Sequence, residues 1–252
     1  MVLIMLNGAF GKMGCEFAEV VKKSTLAKIV AGVDVRRFKD CDVKFDFSVS
    51  ENFPNLKTDV IVDFSNPSAL NKILNFAEAK KVAVVLATTG YNLEQISQIK
   101  KASEHIPVFF SFNMSIGINL LIYLVKKAML TLGDRFDVEI VEKHHNQKID
   151  APSGTAIMIA DVLNSSAGGG FKYVYDRHSV RQKRDKKEIG IHSIRGGNIT
   201  GEHEVIFAGK DEVITIGHVA NSKKIFAQGA LRAAMFIKNK PAGLYDMNDL
   251  IK

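Results

Sequence analysis

Cysteine is nearly absent from this chain of 252 residues: Cys15 and Cys41 are the only two. Two are too few for a disulfide framework or a cysteine-based zinc site, and their spacing matches no ligand pattern, so a reducing cytoplasm is the expected setting. Uninterrupted apolar runs long enough to cross a bilayer are missing too. The nearest, residues 116 to 125, is broken by Gly117 and Asn119 and followed by Lys126 and Lys127. The apolar opening, residues 2 to 6, lacks a basic lead and a cleavage site, and so reads as a buried strand rather than a signal. Aromatic residues do not interleave the basic ones. Although the net charge is +7 and the pI near 9.3, Lys and Arg are scattered among acids. The surplus therefore reads as a solvated surface that steers small anions, with neither nucleic acid nor membrane as partner.

What is present is a core. With 46% hydrophobic residues, the length allows one large domain or two smaller ones. Residues 2 to 6 lead into Gly8-Ala9-Phe10-Gly11-Lys12-Met13-Gly14, after which Phe17, Ala18, Val20 and Val21 keep helical spacing. Strand, glycine turn and helix in that order suit a pyrophosphate, because glycines permit close backbone approach and a helix start offers unpaired N–H donors. The spacing is G-x-x-G-x-x-G. The next strand, residues 28 to 33, ends in Asp34, about twenty residues on, where a ribose-binding acid belongs. Asp34 favours NADH, whereas Arg36, Arg37 and Lys12 would tolerate the 2′-phosphate of NADPH.

Strand and helix go on alternating, with 41 to 54 a loop carrying a short strand and one helical turn. Strands are expected at 60 to 64, 82 to 87 and 107 to 110, and helices from 65 and over 93 to 102. The strand ends Thr88-Thr89-Gly90 and Ser111-Phe112-Asn113-Met114 fall at the carboxyl edge, where the nicotinamide half of a dinucleotide would lie. An α/β fold follows: a Rossmann-type, doubly wound, mainly parallel sheet. After a helix over 115 to 132 the pattern changes. Strands at 136 to 141, 188 to 194, 202 to 207 and 213 to 216 follow one another closely, which predicts a second, open, mixed sheet in an α+β domain. Residues 165 to 188, with three glycines and a charged run, read as exposed loops. The amphipathic helix over 223 to 238 returns to the first sheet. The domains expected are 1–114 with 223–252 for dinucleotide, and 115–222 for substrate and oligomerisation.

The densest chemistry lies between residues 142 and 156. His144 and His145 are adjacent on an extended segment, so their rings point to opposite sides, and either can donate a proton or bind a carboxylate. Lys148 adds a cation that would repel a metal ion, and no third ligand shows zinc-enzyme spacing, so no metal is expected. Ser153, Gly154 and Thr155 open a helix whose N–H groups, hydroxyls and dipole form an anion site. His178, His192, His203 and His218 lie singly in or beside strands and read as structural.

The segment His144-His145-x-x-Lys148-x-Asp150-Ala151-Pro152-Ser153-Gly154-Thr155-Ala156 resembles the signature of the dihydrodipicolinate reductase family. The glycine turn, Asp63-Phe64-Ser65, Ala87-Thr88-Thr89-Gly90, residues 112 to 117, 189 to 197 and 201 to 205 extend the resemblance over the whole chain. It implies NADH- or NADPH-dependent reduction of 4-hydroxy-tetrahydrodipicolinate, a cyclic imino dicarboxylate, in the diaminopimelate route to lysine, by a cytoplasmic homotetramer built through the second domain's sheet. By motif position, His144 would be the proton donor and Lys148 its catalytic partner, while His145, Ser153, Gly154 and Thr155 hold substrate. Val35 stands where the family often has Arg directly after the ribose acid. Two rival readings are another Rossmann-type reductase with an acidic substrate and a nucleotide sensor without turnover.

Overall fold

The computed structural model describes residues 1–36 and 42–251; the Arg37 reading lies outside them. In chain order the elements are β1 (Val2–Asn7), α1 (Lys12–Lys22), β2 (Ala27–Val33), β3 (Val49–Ser50), β4 (Val60–Asp63), a 3-10 turn (Pro67–Ala69), α2 (Leu70–Lys80), β5 (Ala83–Leu86), α3 (Leu93–Ser103) and β6 (Pro107–Phe110). Then come α4 (Ile116–Leu132), a 3-10 turn (Gly133–Arg135), β7 (Asp137–His144), α5 (Gly154–Ser166), β8 (Lys172–Val174), β9 (Glu188–Arg195), β10 (Gly201–Ala208) and β11 (Val213–Ala220). The chain closes with α6 (Lys224–Ile237), β12 (Gly243–Tyr245) and α7 (Met247–Ile251). Two compact units result, Met1–Ile116 with Lys223–Lys252, and Gly117–Ser222.

In the first unit seven strands run parallel in the order β12-β6-β5-β4-β1-β2-β3. Their near-continuous apolar runs follow from burial on both faces. On one side Phe17 and Val21 of α1, with Ala230 and Ala234 of α6, pack against Ile4, Leu6, Val62 and Phe109. On the other, Ile73 and Leu74 of α2 and Ile99 of α3 cover Met5, Ile61 and Val84. β1 lies between β2 and β4, so the chain order reverses beside it, and ligand crevices form at that point of such sheets. Residues 42 to 54 hold only the two-residue β3 and no helical turn, a correction. Cys15 is disulfide-bonded, which a reducing setting would not have suggested.

The second unit carries a mixed five-stranded sheet, β11-β10-β7-β9-β8, in which β7 and β8 run parallel to β9 while β10 is antiparallel to β7 and β11. Its covered face presents Val138, Ile140, Ile189, Ile191, Val205 and Phe207 to α4 and α5. α4 contributes Ile118, Leu121, Val125 and Met129, a stripe at helical spacing. With its 3-10 extension it is, among the described residues, one helix long and apolar enough to cross a membrane by length and composition. The expectation that no such run exists is corrected; the helix buries this stripe and exposes Leu120, Tyr123, Leu124 and Leu130.

The open face is polar at its centre. Glu139 accepts from Arg177 Nη2 at 2.9 Å, Arg184 Nε at 2.9 Å and His192 Nε2 at 2.8 Å. Its carboxylate lies over Gly190, where a Cβ would meet it, so any larger residue there would push Glu139 off these donors. Arg177 and Arg184 come from residues 165 to 188, expected as exposed loops. That stretch instead supplies edge strand β8 and is tied to β7 by these pairs.

Candidate active site

In the first unit, the sequence-predicted nucleotide residues gather at the carboxyl edge of one sheet. Gly8, Ala9, Phe10, Gly11, Lys12 and Met13 join β1 to α1, Thr88, Thr89 and Gly90 follow β5, and Ser111, Phe112, Asn113 and Met114 follow β6. Gly8 has φ +78°, and a Cβ there would stand 2.5 Å from the carbonyl oxygen of Phe64; only glycine fits. A Cβ on Gly14 would meet the Gly8 carbonyl at 2.1 Å, so the helix can begin this close to the turn only without one. α1 has Gly11 as its N-cap, with no side-chain cap bond and no acid in its first turn. Its first N–H groups therefore face outward beside a positive dipole end, which fits a pyrophosphate.

Asp34 stands at the end of β2. Its Oδ2 accepts from the Phe10 N–H at 2.8 Å and its Oδ1 from the Arg36 N–H at 2.8 Å. The Arg36 guanidinium lies 3.5 Å from where a Gly11 Cβ would be, so a cation reaches the turn despite the exposed Val35. Phe10 stacks on Phe45 at 6.1 Å, while Ser111 and Asn113 bond one another through side chain and backbone. Asp63 was read only as part of a motif, yet it is fully buried beneath the turn. It accepts from Asn7 Nδ2 at 2.8 Å, Ser65 Oγ at 2.6 Å and Tyr91 OH at 3.2 Å. Burial pushes this carboxyl up, against those bonds.

In the second unit β7 extends through Glu142, Lys143 and His144, so the polar cluster begins inside the strand. Glu142 lies on the face that carries Val138 and Ile140 and has no exposed surface. It accepts from Arg195 Nη1 at 2.8 Å and Nη2 at 2.7 Å, from the Ser153 N–H at 3.1 Å, and pairs with His144 Nδ1 at 2.6 Å. Burial alone would raise its pKa, but Arg195, His144, Ser193 and the Ser153 N–H together bring it down to about 2. Glu142 is thus a carboxylate at any working pH.

His144 is held on three sides: Nδ1 by Glu142, the ring edge by His203 at 5.3 Å, and the Nε2 side by Gly201, where a Cβ would stand 3.1 Å away. With Nδ1 engaged, Nε2 is the nitrogen left for proton exchange. His145, the next residue, lies just past the strand and is half-buried. Lys148 Nζ donates to Asp150 Oδ1 at 2.8 Å. Asp150 is well exposed, so the pair is worth about 1 kcal/mol or less and exchanges readily for a ligand anion.

Ser153 caps α5, its Oγ accepting from the Ala156 N–H at 3.1 Å. Gly154 and Thr155 form the first turn, and a Cβ on Gly154 would meet nothing within 4 Å. The chain's own packing therefore does not demand glycine there. Two members of this cluster escaped the sequence reading. His203, taken as structural, has Nε2 2.9 Å from Ser153 Oγ, and burial brings its pKa down to about 4, with His144 adding to the shift. Arg195 was noticed only within a matching motif. The missing signal is register: His144 pairs with Arg195 on β9, and Glu142 with His203 on β10.

Residues 2–114 match the family model "Dihydrodipicolinate reductase, N-terminus", and residues 117–251 match "Dihydrodipicolinate reductase, C-terminus". The chain is 47% identical to the 4-hydroxy-tetrahydrodipicolinate reductase of Caldanaerobacter subterraneus subsp. tengcongensis, over 100% of this chain and 99% of that one. It is also 47% identical to the enzyme of the same name from Clostridium tetani, over 100% and 97%. Among solved structures, a dipicolinate-bound dihydrodipicolinate reductase from Paenisporosarcina sp. TG-14 has the same fold, with a TM-score of 0.82, 24% identity and coverage of 98% and 99%.

Proposed function

The chain belongs to the dihydrodipicolinate reductase family, and we propose that it reduces 4-hydroxy-tetrahydrodipicolinate to tetrahydrodipicolinate with NADH or NADPH, in the diaminopimelate route to lysine. The observation that carries the assignment of roles is the cluster at the end of β7 and the start of α5. There a buried carboxylate orients one histidine, and a helix start stands ready for an anion.

In this reading the first unit binds the dinucleotide and the second binds the dicarboxylate. The residues at the carboxyl edge of the first sheet, from Gly8 to Met13, Asp34, Arg36, Thr88 to Gly90 and Ser111 to Met114, hold the cofactor, which supplies a hydride when bound. Its arrival at a ring carbon leaves negative charge on the conjugated system, and a proton has to be delivered where that charge develops. His144 donates it from Nε2. Lys148 leaves Asp150 for the substrate and stabilises the developing anion, since a charge-assisted bond to a carboxylate or carbanion, worth about 1.5–3 kcal/mol, exceeds an exposed ion pair. Ser153, Gly154 and Thr155 bind one carboxylate at the α5 start and His145 assists.

The open face of the second unit exposes Val213, Val219 and Ile194 around its polar centre. A second copy would cover them, in keeping with a homotetramer built through this sheet. The family consists of soluble biosynthetic enzymes, and the cytoplasm is the location we assign, although the disulfide at Cys15 does not follow from it.

The test is oxidation of NADH on adding substrate freshly made from pyruvate and aspartate semialdehyde. Turnover of wild type, competitive inhibition by pyridine-2,6-dicarboxylate, and a loss of at least about one hundred-fold in His144→Gln with unchanged NADH binding are expected. A His144→Gln enzyme as active as wild type would remove His144 from the chemistry.

A further inference from the structure

Glu142 is gripped from three parts of the second unit. Arg195 reaches it from β9, His144 from two residues along its own strand, and the Ser153 N–H from the start of α5. Positions 142 and 144 share a face of the strand, and that face is the covered one, so the carboxylate is withdrawn from water and has to be neutralised where it stands. Arg195 does so with a two-pronged bond. The same guanidinium donates from Nη2 to the Asp150 carbonyl at 2.7 Å, so the segment between His144 and Ser153 is gripped by Arg195 as well as by Glu142.

This geometry points to Glu142 and Arg195 as a positioning pair: the carboxylate sets the His144 ring with Nδ1–H bound and Nε2 presented, and ties that ring to the anion-binding start of α5. The inference rests on the reading of His144 as proton donor. Neither residue need touch the substrate. Glu142 acts through His144 and Ser153, and Arg195 acts through Glu142 by keeping it anionic and oriented.

Other groups bear on His144. Lys148 and Asp150 pair with each other on the following loop, and Arg195 is its direct neighbour on β9. His203 lies against it from β10, and burial lowers the pKa of both His203 and His218 of β11. Lys143 and Glu202 pair at 2.9 Å across β7 and β10. Glu142 is therefore the anion in direct contact with the ring.

The experiment is kcat and KM for wild type, Glu142→Gln, Arg195→Met and Arg195→Lys, with His144→Gln as reference. Glu142→Gln lets the ring turn and take the wrong tautomer, so kcat falls by about one hundred-fold while KM for NADH stays within about twofold. Arg195→Met frees the carboxylate and lowers kcat by about tenfold, while Arg195→Lys restores most of it. Rescue by lysine, with KM for NADH unmoved, is a readout that a general loosening of the fold would not produce. Because a variant may fail to fold, ¹⁵N-histidine NMR of the wild-type protein gives a second measurement: neutral His144 should carry its proton on Nδ1. A kcat unmoved by both exchanges, or a neutral His144 protonated on Nε2, overturns the pairing. If His144→Gln is fully active, the parent reading has failed instead; if it is inactive and both exchanges keep wild-type kcat, only this inference has.

Discussion

Ser153 Oγ and His203 Nε2 lie 2.9 Å apart, both buried, across the boundary between a helix cap and a sheet. The hydroxyl that caps α5 is thus set by an imidazole on β10, and the cap is sensitive to the charge on that ring.

That sensitivity has a sign. The folded pKa of His203, about 4, lies below the unfolded value near 6.5, so the unfolded chain takes up the proton first. The stabilisation is complete above about pH 6.5 and is lost as pH falls toward 4, to a total of roughly 3 kcal/mol. Wild type should therefore lose more stability between pH 7 and pH 4.5 than His203→Gln does. Urea unfolding of both proteins at the two pH values checks it, and equal losses would show that His203 does not titrate as the site geometry requires.

Cofactor choice is balanced between Asp34 and Arg36. The kcat/KM for NADH should at least equal that for NADPH, because the carboxylate repels a 2′-phosphate. Arg36→Gln should lower kcat/KM for NADPH by about tenfold or more, the worth of one charge-assisted phosphate contact, while leaving NADH within about twofold. Parallel changes with both cofactors would mean that Arg36 does not see the phosphate.

Gly154 separates folding from binding. A Cβ there meets open space in the chain itself, and alanine is the better helix former by up to about 1 kcal/mol. Gly154→Ala should keep or raise Tm and yet lose about tenfold or more in kcat/KM for substrate, since the methyl stands where the carboxylate is proposed to sit. An alanine enzyme with wild-type kinetics would argue that the anion binds elsewhere.

The parallel strands of the first unit were legible because burial on both faces leaves continuous apolar runs, as in Val60–Asp63 and Ala83–Leu86. Strands β8 and β12 were not: each has three residues at a sheet edge, too short for any periodicity to emerge. β7 seemed to end at Val141, where alternation gives way to Glu142, Lys143 and His144, yet backbone pairing carries it on. β11 was cut short at Ile216 by the glycine that follows, although pairing with β10 continues to Ala220. The motif around His144 could be found along the chain, whereas Arg195 and His203 reach it only through strand register. That register is a property of the whole sheet, and no local spacing encodes it.

Asp34 is already employed before a ribose arrives, since one oxygen holds the N–H of Phe10 within the nucleotide turn and the other that of Arg36 just beyond β2. The acid is therefore part of the mould as well as part of the grip. An engineer who exchanges it to change coenzyme releases two amide donors and slackens the loop that has to cradle the pyrophosphate. Coenzyme redesign in this protein is better begun at Arg36, whose bond to Asp34 runs through the backbone N–H and survives a change of side chain.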